Sequence, residues 1–71
     1  MGHPDWHLEV GSDVPRDEFF AEVWTAGEHW ASVVERDGNY WLRLEQVTEL
    51  DCDSALDALR EARRRVTLAD E

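Results

Sequence analysis

Three histidines, one cysteine and 17 carboxylates are the side chains in this 71-residue sequence with which chemistry could be done. His3, His7, His29 and Cys52 are the candidate soft ligands for zinc. A structural zinc site wants close ligand pairs, typically cysteines about two to four residues apart, and only one cysteine is present. His3 and His7 have the spacing to share a helix face, but Pro4 and the order Trp6-His7-Leu8 do not read as helix. The four are read as surface histidines and a half-buried cysteine near a helix start, so neither metal nor cofactor is expected. With 17 carboxylates some must be neighbours. A general acid, however, needs a perturbed pKa inside a closed cleft, and a chain of this size has little depth for one. The expectation is a protein that is not an enzyme.

Two short motifs fail on their surroundings. His3-Pro4-Asp5 reproduces the tripeptide of J-domain co-chaperones, but the basic helix that precedes it in those proteins has no counterpart here. Asp51-Cys52-Asp53-Ser54 begins like a calcium-binding loop. Ala55 and Leu56 then stand where an oxygen ligand and a glycine are required. The same residues begin like an aspartate phosphatase motif, for which 71 residues hold no large α/β scaffold. A helix cap accounts for them without further assumption.

Charge narrows the partners. The formal net charge is −10, all seven basic residues are arginine, and 42% of the chain is hydrophobic. That apolar content is too high for a disordered acidic tail. The charge opposes direct binding to a phosphate backbone, where Lys and Arg must displace counterions. The single basic patch is Arg60, Arg63, Arg64 and Arg65, which with Glu61 carries net +3 against −13 for the remainder. It is read as complementing a helix C-terminus and pairing with acids, or as a docking site for an acidic partner. No apolar run approaches the roughly 20 residues of a membrane span. No signal peptide is visible, and one cysteine makes no internal disulfide. A bacterial, cytoplasmic protein is expected.

The elements that must position these residues follow from pattern. Residues 17–46 read as a three-stranded antiparallel meander, with runs Phe19–Thr25, His29–Arg36 and Asn39–Gln46 rich in aromatic and β-branched residues. Asp37-Gly38 predicts a two-residue type I′ turn. That turn sets Arg36 opposite Asn39, Val34 opposite Trp41, Val33 opposite Leu42 and Ala31 opposite Leu44. A three-residue loop at Ala26–Glu28 pairs Val23 with Ala31 and Ala21 with Val33. Residues 53–66 read as a helix capped by Asp53 or Ser54, with the apolar stripe Ala55, Leu59, Ala62 and Val66 and Leu56 beside it. Residues 67–71 read as a tail. Residues 1–16 read as an N-terminal arm or a fourth, edge strand. The fold class is α+β in one domain, a meander packed on one C-terminal helix.

That arrangement leaves one sheet face without a helix. On it the register collects Phe20, Trp24, Trp30, Val34 and Trp41, the candidate protein-interface residues. A small acidic monomer does not leave such a set in water. The N-terminal segment, with Trp6, Leu8 and Val10, could fold over it. Alternatively a homodimer forms there or edge to edge, or another protein docks; aromatic residues are enriched in interface cores.

The order of elements, the run His29-Trp30-Ala31-Ser32-Val33 and the helix alternation Ser54-Ala55-Leu56-Asp57-Ala58-Leu59-Arg60-Glu61-Ala62 resemble small bacterial βββα proteins of the HicB-like antitoxin group. The resemblance covers roughly Glu18 to Arg65. It implies an oligomeric acidic protein that masks a basic, RNA-cleaving toxin. The expected function is therefore a non-enzymatic acidic interaction module, dimeric, that neutralises a basic partner in the manner of an antitoxin or immunity protein. Two alternatives are a nucleic-acid mimic that occupies a basic groove, and a small-ligand pocket lined by Trp24, Trp30 and Trp41.

Overall fold

The computed structural model describes residues 6–70, so His3 and the His3-Pro4-Asp5 motif lie outside it. The chain forms β1 (His7–Asp13), a 3-10 turn (Val14–Arg16), β2 (Glu18–Thr25), β3 (Glu28–Arg36), β4 (Asn39–Leu44) and α1 (Cys52–Asp70). The strands make one sheet of order β1-β2-β3-β4, each pair antiparallel. The architecture is α+β, with four strands rather than three. His7–Asp13 adds its strand beside β2 rather than folding over the outer sheet face.

The second hairpin has the expected geometry. Asp37 and Gly38 take φ of 56° and 79°, as a type I′ turn requires. The four pairs expected across β3 and β4 are all present. Gly38 N–H donates to Glu35 Oε2 at 2.8 Å, which ties the turn to the strand before it.

The first hairpin reaches its expected pairing by another route. Its loop is two residues, Ala26 and Gly27, with φ of 53° and 77°. A left-handed alanine costs roughly 1–2 kcal/mol, so the residue type gives no hint of so tight a turn. Thr25 faces Glu28 and Trp24 faces His29. A register shift at Val23/Trp24 then restores Val23↔Ala31 and Ala21↔Val33. The residue without a partner on β2 is Trp30. It forms a β-bulge, which re-aims its side chain.

One sheet face receives α1. Ala58, Ala62 and Val66 are buried against Ala21, Val23 and Val33, with Trp6, Leu8, Phe19, Trp30, Tyr40 and Leu59 around them. Small residues at the centre let helix and sheet approach closely, and the large side chains seal the rim. The helix begins at Cys52 because Asp51 caps it: Ser54 N–H donates to the Asp51 Oδ2 at 3.0 Å. The cap is therefore two residues before Asp53 and three before Ser54, the residues expected to serve. At the far end α1 runs on to Asp70, where a tail after Val66 is expected from the sequence. Thr67 explains the extension. Its hydroxyl donates to Arg63 O at 2.9 Å and takes a hydrogen bond from the Tyr40 hydroxyl, fastening the last turn to β4. Elsewhere α1 lies over β1, β2 and β3. Leu42 and Leu44, on the same sheet face, remain 53% and 63% exposed.

Candidate functional site

The five interface candidates divide between the two faces. Phe20, Trp24, Val34 and Trp41 stand on the face away from α1. Trp30 does not. The bulge turns it to the helix side, where its ring lies 5.7 Å from that of Trp6 at 56°. His29 takes its place, stacking on Trp24 at 5.1 Å with 16° between planes. Trp24, Trp30 and Trp41 therefore do not line one pocket.

The outer face is partly closed by its own side chains. Phe20 lies across Gly11, where a Cβ would fall 2.7 Å from the ring tip, so any larger residue there would push the ring aside. Val34 is fully buried between its cross-strand neighbours Phe20 and Trp41. The Arg36 guanidinium sits 5.5 Å over the Trp41 ring, a cation–π arrangement. Its Nε is 2.9 Å from Glu18 Oε2, an ion pair whose N–H is not aligned for a hydrogen bond. Arg43 Nη2 approaches the other Glu18 oxygen at 3.9 Å, so this buried carboxylate faces two cations. Trp41 nevertheless keeps 53% of its surface in water.

Beside this cluster runs a shallow groove of about 150 Å³ lined by Asp13, Glu18, Phe20, Glu22, His29, Ser32, Arg43 and Glu45. Four carboxylates line it; Arg36 and Arg43 face Glu18 and Arg16 stands 3.6 Å from Asp13, so its acidic character falls chiefly to Glu22 and Glu45. Its polar groups are held in place: His29 Nε2 meets Ser32 Oγ at 2.9 Å, and Trp24 Nε1 donates to Glu22 Oε1 at 3.2 Å. Strand alternation sets Glu22 and Ser32 on this face, whereas His29 joins them only through the bulge, which alternation does not show.

The arginines of the basic patch are engaged by groups within the domain. Arg64 and Arg65 both bind Glu61, through Arg64 Nε at 3.1 Å and Arg65 Nε at 2.9 Å. These hydrogen bonds, that of Arg64 foremost, hold the Glu61 pKa down to about 2. The same pairing raises the Arg64 pKa. Arg63 turns to the sheet and lies 4.6 Å over the Tyr40 ring. Arg60 Nη1 is 3.7 Å from Asp57 Oδ1. The patch is spread around the helix and engaged with acids and an aromatic ring.

A second groove, of about 500 Å³, lies between β1 and α1 and is lined by Trp6, His7, Leu8, Asp57, Ala58, Glu61 and Arg65. The ligand candidates within the described residues stand on separate elements. His7 on β1 meets Glu9 at 2.9 Å, His29 on β3 meets Ser32, and Cys52 is exposed at the start of α1. Among the described residues no three His, Cys, Asp or Glu are grouped to hold a metal ion. Nor is any helix there long and apolar enough to cross a membrane.

No family model, curated protein or solved structure matches the chain significantly. The functional reading therefore rests on this surface alone.

Proposed function

We propose that this protein is a non-enzymatic interaction module that works as a homodimer and neutralises a basic protein partner, antitoxin-like or immunity-like in its most specific form. The observation that carries the reading is the outer sheet face. No element among the described residues covers it, and it presents the acidic groove of Asp13, Glu18, Glu22 and Glu45 beside the half-exposed ring of Trp41. An arginine- or lysine-rich segment fits such a groove by charge, and the aromatic rings offer it cation–π contacts. The rest of the surface supports the same partner, since a field from a net charge of −10 speeds encounter with a cation and fixes its orientation. The arginines of α1 do not compete, being held by Glu61, Asp57 and Tyr40.

Titration with an arginine-rich peptide tests this. Binding is expected at low salt, weaker at high salt, and lost when Asp13, Glu22 and Glu45 are together replaced by their amides. No binding at low salt, or binding indifferent to both salt and the triple replacement, overturns the reading.

A further inference from the structure

The two edges of the sheet differ. β1 shows Glu9 and Asp13 along its length, carries Gly11, and runs into the Val14-Pro15 turn, all features that discourage strand addition. β4, Asn39-Tyr40-Trp41-Leu42-Arg43-Leu44, has one charge and no proline, and Trp41, Leu42 and Leu44 are each more than half exposed. Among the described residues it is the edge left without protection.

Its backbone is set for pairing. Glu45 N–H donates to Trp30 O at 2.8 Å, so Asn39, Trp41, Arg43 and Glu45 turn their amides to β3. By the alternation of an antiparallel ladder, Tyr40, Leu42 and Leu44 turn their N–H and C=O groups outward. We propose that β4 pairs antiparallel with β4 of a second copy about a two-fold axis through Leu42, making a continuous eight-stranded sheet. This rests on the homodimer reading above and names its surface and register.

The register follows from the side chains. A two-fold axis normal to the sheet keeps both helices on one face and allows only pairings that match faces. Centred on Leu42, Leu42 meets its copy and Tyr40 meets Leu44 on the helix side. On the outer side Trp41 meets Arg43, and Asn39 meets Glu45. Every pair is apolar, cation–π or hydrogen-bonding, the combinations that stabilise neighbouring strands. Centring on Arg43 sets two arginines face to face. Centring on Trp41 leaves Leu44 opposite Gly38, with no side chain to cover it. The helix, seated over β1, β2 and β3, leaves Leu42 and Leu44 free to take these partners.

The experiment uses the full chain. Sedimentation across a concentration series is expected to show a monomer–dimer equilibrium. Raising salt strengthens it, because two copies of net charge −10 repel. That is opposite to the effect on capture of a cationic partner, so the two readings fail separately. Leu42→Arg and Leu42→Glu are each expected to weaken the dimer by about a hundredfold or more while circular dichroism stays unchanged, since Leu42 is 53% exposed. Mixing the two variants restores a dimer, because only this register sets position 42 against itself. In the native dimer, amide exchange at Tyr40, Leu42 and Leu44 slows as concentration rises. A monomer at every concentration and salt overturns both the proposal and the homodimer. A dimer that survives both variants, or variants that fail to rescue each other, overturns the edge or its register and leaves a face-to-face dimer.

Discussion

Val34 is the sharpest probe of how the outer face is built. It is fully buried although no element among the described residues lies over it, and Phe20 and Trp41 stand on either side. Val23 is equally buried, but beneath α1. Changing either to alanine removes two methyl groups, worth about 1.6 kcal/mol of lost transfer free energy at ~0.8 per carbon. The cavity term differs. Under the helix the walls cannot close, and about 40 Å³ of void adds about 1 kcal/mol. On the outer face Phe20 and Trp41 can lean inward, so little void remains. Val34→Ala is therefore expected to cost about 1.5–2 kcal/mol and Val23→Ala about 2.5–3. Urea denaturation at one protein concentration measures both. With a slope near ~1 kcal/mol per molar, the midpoint falls by ~1.5 M or more for Val34→Ala and ~1 M further for Val23→Ala. A loss below about 0.5 kcal/mol at Val34 would refute the reasoning, since those side chains would then not be sheltering it.

Other perturbations test the helix. Asp51→Ala removes the cap on Ser54 N–H and is expected to cost about 1 kcal/mol by thermal or urea denaturation. Tyr40→Phe breaks the hydrogen bond to Thr67, costs about 1 kcal/mol, and should speed amide exchange in the last turn of α1 but not the first. Glu61 has its pKa lowered from 4.5 to about 2 by Arg64 and Arg65. Its pairing thus stabilises the fold above pH 4.5 and is lost as pH falls toward 2. The stability gap between the native chain and Glu61→Gln should be present at neutral pH and shrink through that window.

Much of the sheet was legible because turn chemistry and alternation agree. Asp37-Gly38 admits one turn type, and that turn carries the whole β3–β4 register with it. The first hairpin was legible only in its outcome. An alanine at positive φ is a poor turn signal, so the residue pattern predicts a loop one residue too long, and the compensating bulge leaves no mark in the alternation. The cost falls on Trp30, which sits on the opposite face from its expected neighbours. The helix stripe is legible because its spacing is regular, yet that stripe passes through Ala55 and omits Ala58, which lies four residues before Ala62 and is the one of the two buried against the sheet. The helix ends were not. Asp51 caps in place of Asp53 or Ser54 because several acids there are chemically equivalent, and the extension past Val66 depends on Tyr40, distant in sequence. The acidic groove and the bare edge of β4 required the strand order, which fixes what α1 covers.

The simple strand order also bears on how the chain folds. Each strand lies beside its sequence neighbour, so the hairpins need close only short loops and can form within roughly 1–10 microseconds. The long-range closure is that of α1 onto β1, which joins the two ends of the described chain. Loop-closure entropy makes this the contact that costs the most chain entropy to form. Trp6, just before β1, meets Trp30 in β3 at 5.7 Å beside the helix-bearing core. Their contact is thus a built-in optical signal for the arrival of the N-terminal strand.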